Sequence, residues 1–518
     1  MAKTRQKWGT RLGIIMAVAG SAVGLGNFLR FPVQAASNGG GAFLIPYFIS
    51  LVLLGIPLMW AEWTLGRYGG GYGHGTAPGI FHTMWQKNRF IKYFGVIGIF
   101  GPLIIFIYYT YIESWTLAYG FFAITGKYAG ANTESAMSSF LSGFQGLDRN
   151  QYFGSIASAY TFFLITFVAN IAVIYYGIKG GIEKLCNIAM PLLFVCGIAL
   201  VIRVLSLGSP DPAKASWSIS NGLGFMWNAD FRALASAKVW LAAAGQILFT
   251  LSVGIGVILT YASYLSKGDD VVLSGLSAVS MNEFAEVILG GCIVIPAAFI
   301  FFGPERIGAV ASSGAFNLGF VTMPLIFQKI AMGAFFGCVW FLLLFLAGIT
   351  SAVSLAQPAV AFLEDEFNIT RPKAVSIFAA VSFILCQPAI FFLGKGVVNE
   401  LDFWGGTFCL VLFATIEVIL FAWIFGMNNA WKEIHHGADM KVPSIYKFII
   451  KYVTPVFLLV ILGSWFIQEG VPTIFMKNVP AGNRPFIFAA RAFLIGIFIL
   501  LAVLVKIAWL KKRAVQKT

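Results

Sequence analysis

Apolar residues run along this chain in long, nearly unbroken stretches separated by short polar clusters, and each stretch is long enough to cross a lipid bilayer. About 20 consecutive apolar residues make a spanning helix. Roughly a dozen such stretches occur, near 11–35, 41–70, 89–124, 153–177, 182–207, 237–265, 271–302, 332–363, 373–394, 397–425, 445–470 and 484–510. A chain in hydrocarbon must satisfy its own backbone polar groups, so the pattern predicts helices throughout. The longer polar connections lie at about 126–152, 208–236 and 304–331. The second, with Pro210, Pro212 and several Ser and Asn, reads as an external loop. The third, with Ala315, Phe316, Asn317, Leu318, Gly319 and Phe320, is too apolar for a solvated loop and is expected to pack back onto the extracellular face as short helices. No linker or low-complexity tract divides the chain, which reads as one membrane domain.

Two stretches are interrupted by nearly the same phrase, Ala22-Val23-Gly24-Leu25-Gly26 early and Ser252-Val253-Gly254-Ile255-Gly256 later. Glycine costs a helix about 1 kcal/mol relative to alanine. Backbone groups freed at membrane depth are tolerated only where they meet protein or line a cavity. Gly20 and Gly24 also form a small-xxx-small spacing, which accounts for close helix packing at one place but not for the recurrence. Matched breaks in the two halves of a polytopic protein point to a mid-membrane binding site in a transporter. With the breaks in the first and sixth spans, two sets of five helices enter the membrane from opposite sides as an inverted repeat, and the last two spans form a peripheral pair. The expected organisation is a segment 1–10, a first repeat 11–207, an external loop 208–236, a second repeat 237–425, two further helices 426–510 and a tail 511–518.

An interrupted helix offers orphan carbonyls at one end and orphan amides at the other, carrying roughly half a unit charge of each sign. One end suits a cation and the other an anion. A zwitterionic amino acid accompanied by sodium fits this arrangement.

Composition changes the picture little. Hydrophobic residues make up 59% of the 518 and charged residues 11%, against about 25% charged in soluble domains. The net charge of +14 raises the question of nucleic acid. The basic residues sit instead beside the spans, as Lys3, Arg5, Lys7 and Arg11, then Lys87, Arg89 and Lys92, then Lys511, Lys512 and Arg513. Positive flanks mark the cytoplasmic side, which places both termini inside and requires an even number of spans. A cleaved signal peptide over 1–36 is disfavoured by its length and by Asn27, Arg30 and Pro32. All six cysteines lie in apolar spans and read as small hydrophobes rather than a disulfide framework.

Polar residues inside the spans are costly and usually functional. They include Arg30, Glu62, Glu113, Asn282, Glu283, Glu286, Asp402 and Glu417. Asn282 and Glu286 are four apart and share a helix face. Thr350 and Ser351 supply hydroxyls, and hard cations prefer such oxygens. No catalytic motif appears among the four histidines or elsewhere, so an enzyme has no support.

The run from Gly20 to Pro32 (GSAVGLGNFLRFP), the second break and Gln357-Pro358 resemble the neurotransmitter:sodium symporter family, most nearly its bacterial leucine transporter type. The resemblance extends from about Trp8 to the last span. It implies an all-α integral membrane protein of about twelve helices, with a 5+5 inverted repeat and broken helices 1 and 6. It further implies two sodium ions. One is held by Ala22, Asn27, Thr250, Asn282 and the substrate carboxylate, and the other by Gly20, Val23, Ala347, Thr350 and Ser351. The substrate pocket it implies comprises Ser21, Ala22, Leu25, Gly26, Ile105, Tyr109, Phe249, Thr250, Ser252, Ile255, Ser351 and Leu355, with Tyr109 and Phe249 as the outer lid. Arg30 and Asp402 match an external gate pair, and Arg5 and Asp365, with Trp8, Ser263 and Tyr264, a cytoplasmic gate. Glu62 would brace the second break.

Gly24 stands where monoamine carriers place an aspartate, which implies a substrate that brings its own carboxylate. Glu286 replaces the serine beside which animal members bind chloride, which implies chloride independence. Ile255, Ser21 and Ile105 depart from the leucine-transporting type, so a neutral amino acid is expected but leucine itself does not follow. The expectation is therefore a sodium-coupled symporter of neutral, mainly hydrophobic L-amino acids. It would work by alternating access in a bacterial inner membrane, with no nucleic-acid partner and an oligomeric state, such as a homodimer, left open. An osmolyte or amine carrier, a channel and a non-transporting sensor are the rivals.

Overall fold

The structure is a computed structural model that describes residues 6–209, 212–307, 314–477 and 479–515. It is all-helical among these residues. Ten helices among the described residues are long and apolar enough to cross a membrane. An eleventh span is the bent pair Arg11–Ala22 and Leu25–Ser37, whose halves diverge by 47°. The sixth in chain order is Ala237–Thr250 followed by Val257–Ala262, each too short to cross alone. The bent pair brings the count to eleven among the described residues, and the short sixth pair stands where a further span is expected.

The remaining spans are, from second to fifth, Gly41–Gly70, Ile91–Thr125, Ala157–Tyr175 and Ile178–Leu205. The seventh to twelfth are Val272–Phe302, Gly333–Phe367, Arg371–Phe391, Val397–Ile424, Ile445–Ile474 and Ala481–Lys512. The fourth begins at Ala157 rather than 153, because residues 150–156 turn around the Asn150 side chain, which accepts from the N–H groups of Tyr152 and Phe153.

Burial separates inner from outer helices. The third span is 89% buried along its most apolar window and the seventh 83%, whereas the eleventh and twelfth are each 33% buried and expose Ile467, Phe488 and Ile495 outward. The third and eighth spans pack along each other and form the centre. The apolar segment after the seventh span is helical at Ala315–Asn317, Leu318–Thr322 and Met323–Gln328, and buries Leu318, Phe320, Met323 and Phe327 against the core. Burial of such side chains stabilises each by about 1.5–3 kcal/mol, which explains why this stretch does not stay in solvent.

The start of the first helix is tied down by the fifth span. Thr10 caps it, its hydroxyl accepting from Gly13 N–H at 2.9 Å. Glu183, at the head of the fifth span, accepts from the N–H groups of Gly9 at 2.7 Å and Thr10 at 3.1 Å. A carboxylate there also complements the positive end of the helix.

Candidate functional site

Both helix breaks lie at the centre of the bundle, and side chains join them. In the first span the helix ends at Ala22 and resumes at Leu25, with Gly24 extended at φ −116° and ψ −167°. Asn27, one turn into the second half, accepts from Gly24 N–H at 2.9 Å. Leu25 N–H donates to the Tyr109 hydroxyl at 3.2 Å. In the sixth span the helix stops at Thr250 and restarts at Val257. Ser252, Gly254 and Gly256 there have φ of 53°, 77° and 81°. Glu62 accepts from Gly254 N–H at 2.5 Å, and the Ser252 hydroxyl donates to Ser21 O at 2.9 Å.

Oxygen atoms converge between the breaks. Because Gly24 N–H fixes the oxygen of Asn27, the Asn27 amide nitrogen turns toward the seventh span and donates to Asn282 Oδ1 at 2.8 Å. That Asn282 oxygen stands 3.3 Å from the carbonyl oxygens of both Ala22 and Thr250. A reversed Asn282 amide would set nitrogen against nitrogen, so three oxygens with no hydrogen between them face one another, a donor set that suits a hard cation. The Asn27 oxygen accepts from Gly24 N–H with one of its two lone pairs, and its nitrogen orients Asn282.

A second group of oxygens lies across the first break. The Ser351 hydroxyl is 3.3 Å from Gly20 O and 3.3 Å from Ser21 O. Thr350 Oγ1 lies 3.2 Å from Ala347 O and also bonds Leu346 O.

Around these groups Ser21, Ala22, Leu25, Ile105, Ser252, Ile255, Ser351 and Leu355 each keep 5–8% exposure, while Val23, Val253 and Ala352 beside them keep none. Side chains from the first, third, sixth and eighth spans therefore border internal space. Thr250 is more deeply buried, and Tyr109 and Phe249 are half-buried. No charged side chain belongs to this set. A Cβ at Gly24 would come within 2.9 Å of Ser351 Oγ and 3.2 Å of the Tyr109 hydroxyl. A Cβ at Gly26 would meet the Phe249 ring at 2.8 Å.

Beyond Phe249 lies a cavity of about 350 Å³ lined by Arg30, Gln34, Lys238, Thr407 and Trp465 among others. The Arg30 guanidinium stacks on Phe249, 4.1 Å from the ring centre. Arg30 and Asp402 were expected to pair, and they do not form an ion pair; Asp402 instead accepts from the Tyr108 hydroxyl at 2.6 Å. Phe249 offers Arg30 a desolvated aromatic face, and such cation–π contacts hold guanidinium well.

On the opposite side, Trp8 donates to Tyr261 O at 3.0 Å and stacks edge-on against that ring. Tyr264 accepts from Gln357, which accepts in turn from Arg371. Ser263 donates to Thr260 O at 2.6 Å. Asp365 stands near the C-terminal end of the eighth span, and Arg5 lies outside the described residues.

Glu286 is fully buried and accepts from Gln246 at 2.8 Å, Asn27 at 2.9 Å and, at close range, Thr250, while the single Tyr47 hydroxyl proton is shared between Glu283 at 2.8 Å and Glu286 at 3.2 Å. Tyr47, Gln246 and Tyr108 escape sequence reasoning. Only Gln246 leaves a trace, as a polar residue four before Thr250 on the same face of an apolar helix.

The family model described as the sodium:neurotransmitter symporter family matches residues 5–207 and 145–517. An uncharacterized sodium-dependent transporter of Methanocaldococcus jannaschii is 30% identical over 88% of this chain and 89% of its own. The sodium-dependent dopamine transporter of Bos taurus is 25% identical over 89% of this chain and 69% of its own. Among solved structures, MhsT in complex with L-phenylalanine matches with a TM-score of 0.76 and 31% identity, covering 89% of this chain and 99% of that one.

Proposed function

Since the chain belongs to the sodium:neurotransmitter symporter family, and is thus a multi-pass sodium-dependent transporter of a small molecule rather than an enzyme, we propose that its substrates are neutral, mainly hydrophobic L-amino acids. The observation that carries this reading is the wall around Gly24. Ser351 and Tyr109 crowd the place that a side-chain carboxylate would take there, and the surrounding pocket residues are uncharged. A substrate amine therefore finds no fixed counter-charge, and the substrate must supply the negative charge itself. Leu25 N–H and the Tyr109 hydroxyl, at the amide end of the first break, suit a carboxylate. That a solved relative holds L-phenylalanine agrees in size and polarity.

Two sodium positions are proposed. The first uses Ala22, Asn27, Thr250 and Asn282; the second uses Gly20, Val23, Ala347, Thr350 and Ser351. A substrate carboxylate beside the first ion would raise sodium affinity, and sodium would raise substrate affinity by the same factor. Glu286 takes up the donors of Gln246, Asn27 and Thr250 that could otherwise hold an anion, so transport proceeds without chloride. Spans 1, 2, 6 and 7 rock against spans 3, 4, 8 and 9 about this site, with both termini in the cytoplasm of a cell bounded by this inner membrane.

Uptake of labelled leucine, alanine and phenylalanine into proteoliposomes, with and without an inward sodium gradient and in chloride or chloride-free buffer, tests the reading. Sodium-driven accumulation indifferent to chloride is expected. Binding without accumulation would make the protein a sensor, and no response to amino acids would turn the reading toward osmolytes or amines. Asn282→Ala and Asn27→Ala are each expected to abolish sodium-stimulated amino acid binding; unchanged sodium dependence in both would remove the first ion position.

A further inference from the structure

Glu113 lies in the middle of the third span, fully buried, with its side chain against the bare backbone of Gly348 in the eighth span, where a Cβ would come within 2.8 Å of Glu113 Cγ. Asn170 of the fourth span, also fully buried, donates from Nδ2 to Glu113 Oε2 at 2.8 Å. That bond accounts for one oxygen of the carboxyl and the nitrogen of the amide. The other atoms of the same two groups, Glu113 Oε1 and Asn170 Oδ1, have no hydrogen-bond partner. None of the ion pairs among the described residues reaches Glu113.

Two orphaned acceptors on one acid–amide pair have a common remedy. A carboxylate and a carboxamide can share only one hydrogen bond, because the carboxylate has nothing to donate. A neutral carboxylic acid facing a carboxamide forms two, N–H to one carboxyl oxygen and O–H to the amide oxygen. One proton thus satisfies both atoms and removes a buried charge that no cation balances.

We infer that Glu113 and Asn170 form a proton-binding site, in which a resident proton on Glu113 closes a two-point acid–amide clasp between the third and fourth spans. The groups facing it are few. Asn170 comes from the fourth span, and the backbone of Gly348 from the eighth. On its own helix Tyr109 lies one turn away on the same face. The clasp therefore fixes the rotation of the third span one turn from the hydroxyl that meets Leu25 N–H, which makes Glu113 a positioning residue for that end of the site.

Infrared difference spectra of the purified protein, wild type minus Glu113→Gln, test this without any substrate and so stand apart from the identity of what is transported. A carboxylic-acid carbonyl band present in the wild type through neutral and alkaline pH, and lost in Glu113→Gln, is expected. In Asn170→Leu that band should move to higher frequency, because the acid loses its amide partner. A carboxylate band in place of the acid band would overturn the proposal. Glutamine preserves both hydrogen bonds without a proton, so Glu113→Gln is expected to keep wild-type amino acid affinity. Glu113→Leu should lose about tenfold, the equivalent of about 1.4 kcal/mol. Should the leucine variant fail to fold, the infrared result decides alone; an affinity loss in Glu113→Gln would overturn the positioning role.

Discussion

The two breaks carry almost the same letters and are built differently. The first spans two residues between helical ends, and its glycine, Gly24, has a negative φ in extended backbone that any residue can adopt. The second spans six residues and holds three at positive φ, of which Ser252 is one. Gly24 is glycine for space, since Ser351 and Tyr109 crowd the place of its missing Cβ. Gly254 and Gly256 are glycine for conformation as well as space, because each sits in the left-handed region and against backbone carbonyls of Leu410 and Gly98. At the first break Gly24 N–H is closed from within the same helix by Asn27 and Leu25 N–H by Tyr109 of the third span, whereas at the second Gly254 N–H is closed by Glu62 of the second span.

The largest expected effect follows from that contrast. Gly254→Ala or Gly256→Ala places an L side chain at positive φ, costing about 1–2 kcal/mol, and overpacks the neighbouring backbone by about 1–3 kcal/mol. A loss of about 2–5 kcal/mol should appear as a large drop in thermal unfolding temperature in detergent, and an undiminished melting temperature would end the distinction between the breaks. Glu62→Ala comes next. It leaves Gly254 N–H buried without an acceptor, a cost of about 1–3 kcal/mol, which Glu62→Gln should largely restore in the same assay.

Gly24→Ala should cost stability only about 1 kcal/mol, because the two hydroxyls in the way are side chains that can shift. Its signature is instead weakened amino acid binding, read by equilibrium binding, since the shifted groups border the pocket. Ser252→Gly is the smallest. It relieves about 1 kcal/mol of left-handed strain and loses about 1 kcal/mol of hydrogen bonding to Ser21. Its melting temperature should stay near wild type, and a marked change in either direction would show that one term has been misjudged.

Much of the fold is legible in the residue order, because a spanning helix answers to a local rule. An apolar run of about 20 residues must form a helix that pairs its own backbone, so the spans stand close to where the pattern places them and the glycines mark where two of them open. Asn282 and Glu286 share a face because they are four apart, whatever the rest of the chain does. The partners of Glu286 could not be read in this way. Tyr47 stands 239 positions from it and Gln246 40, and an isolated tyrosine in an apolar helix carries no mark of what it will touch. The pairing of Arg30 with Phe249, and of Asp402 with Tyr108, likewise depends on how the helices lean and turn against one another.

By itself, then, the order of residues determined a helical membrane protein, the approximate positions of its spans and the places where two of them break, since periodicity and length act over one or two turns. Which glycine serves space and which serves conformation, which oxygens converge between the breaks and which donors close around Glu286 were decided by tertiary packing. Those contacts join helices far apart in the chain, and their distances are set by rigid-body tilt and rotation of whole spans, a quantity that no local spacing encodes.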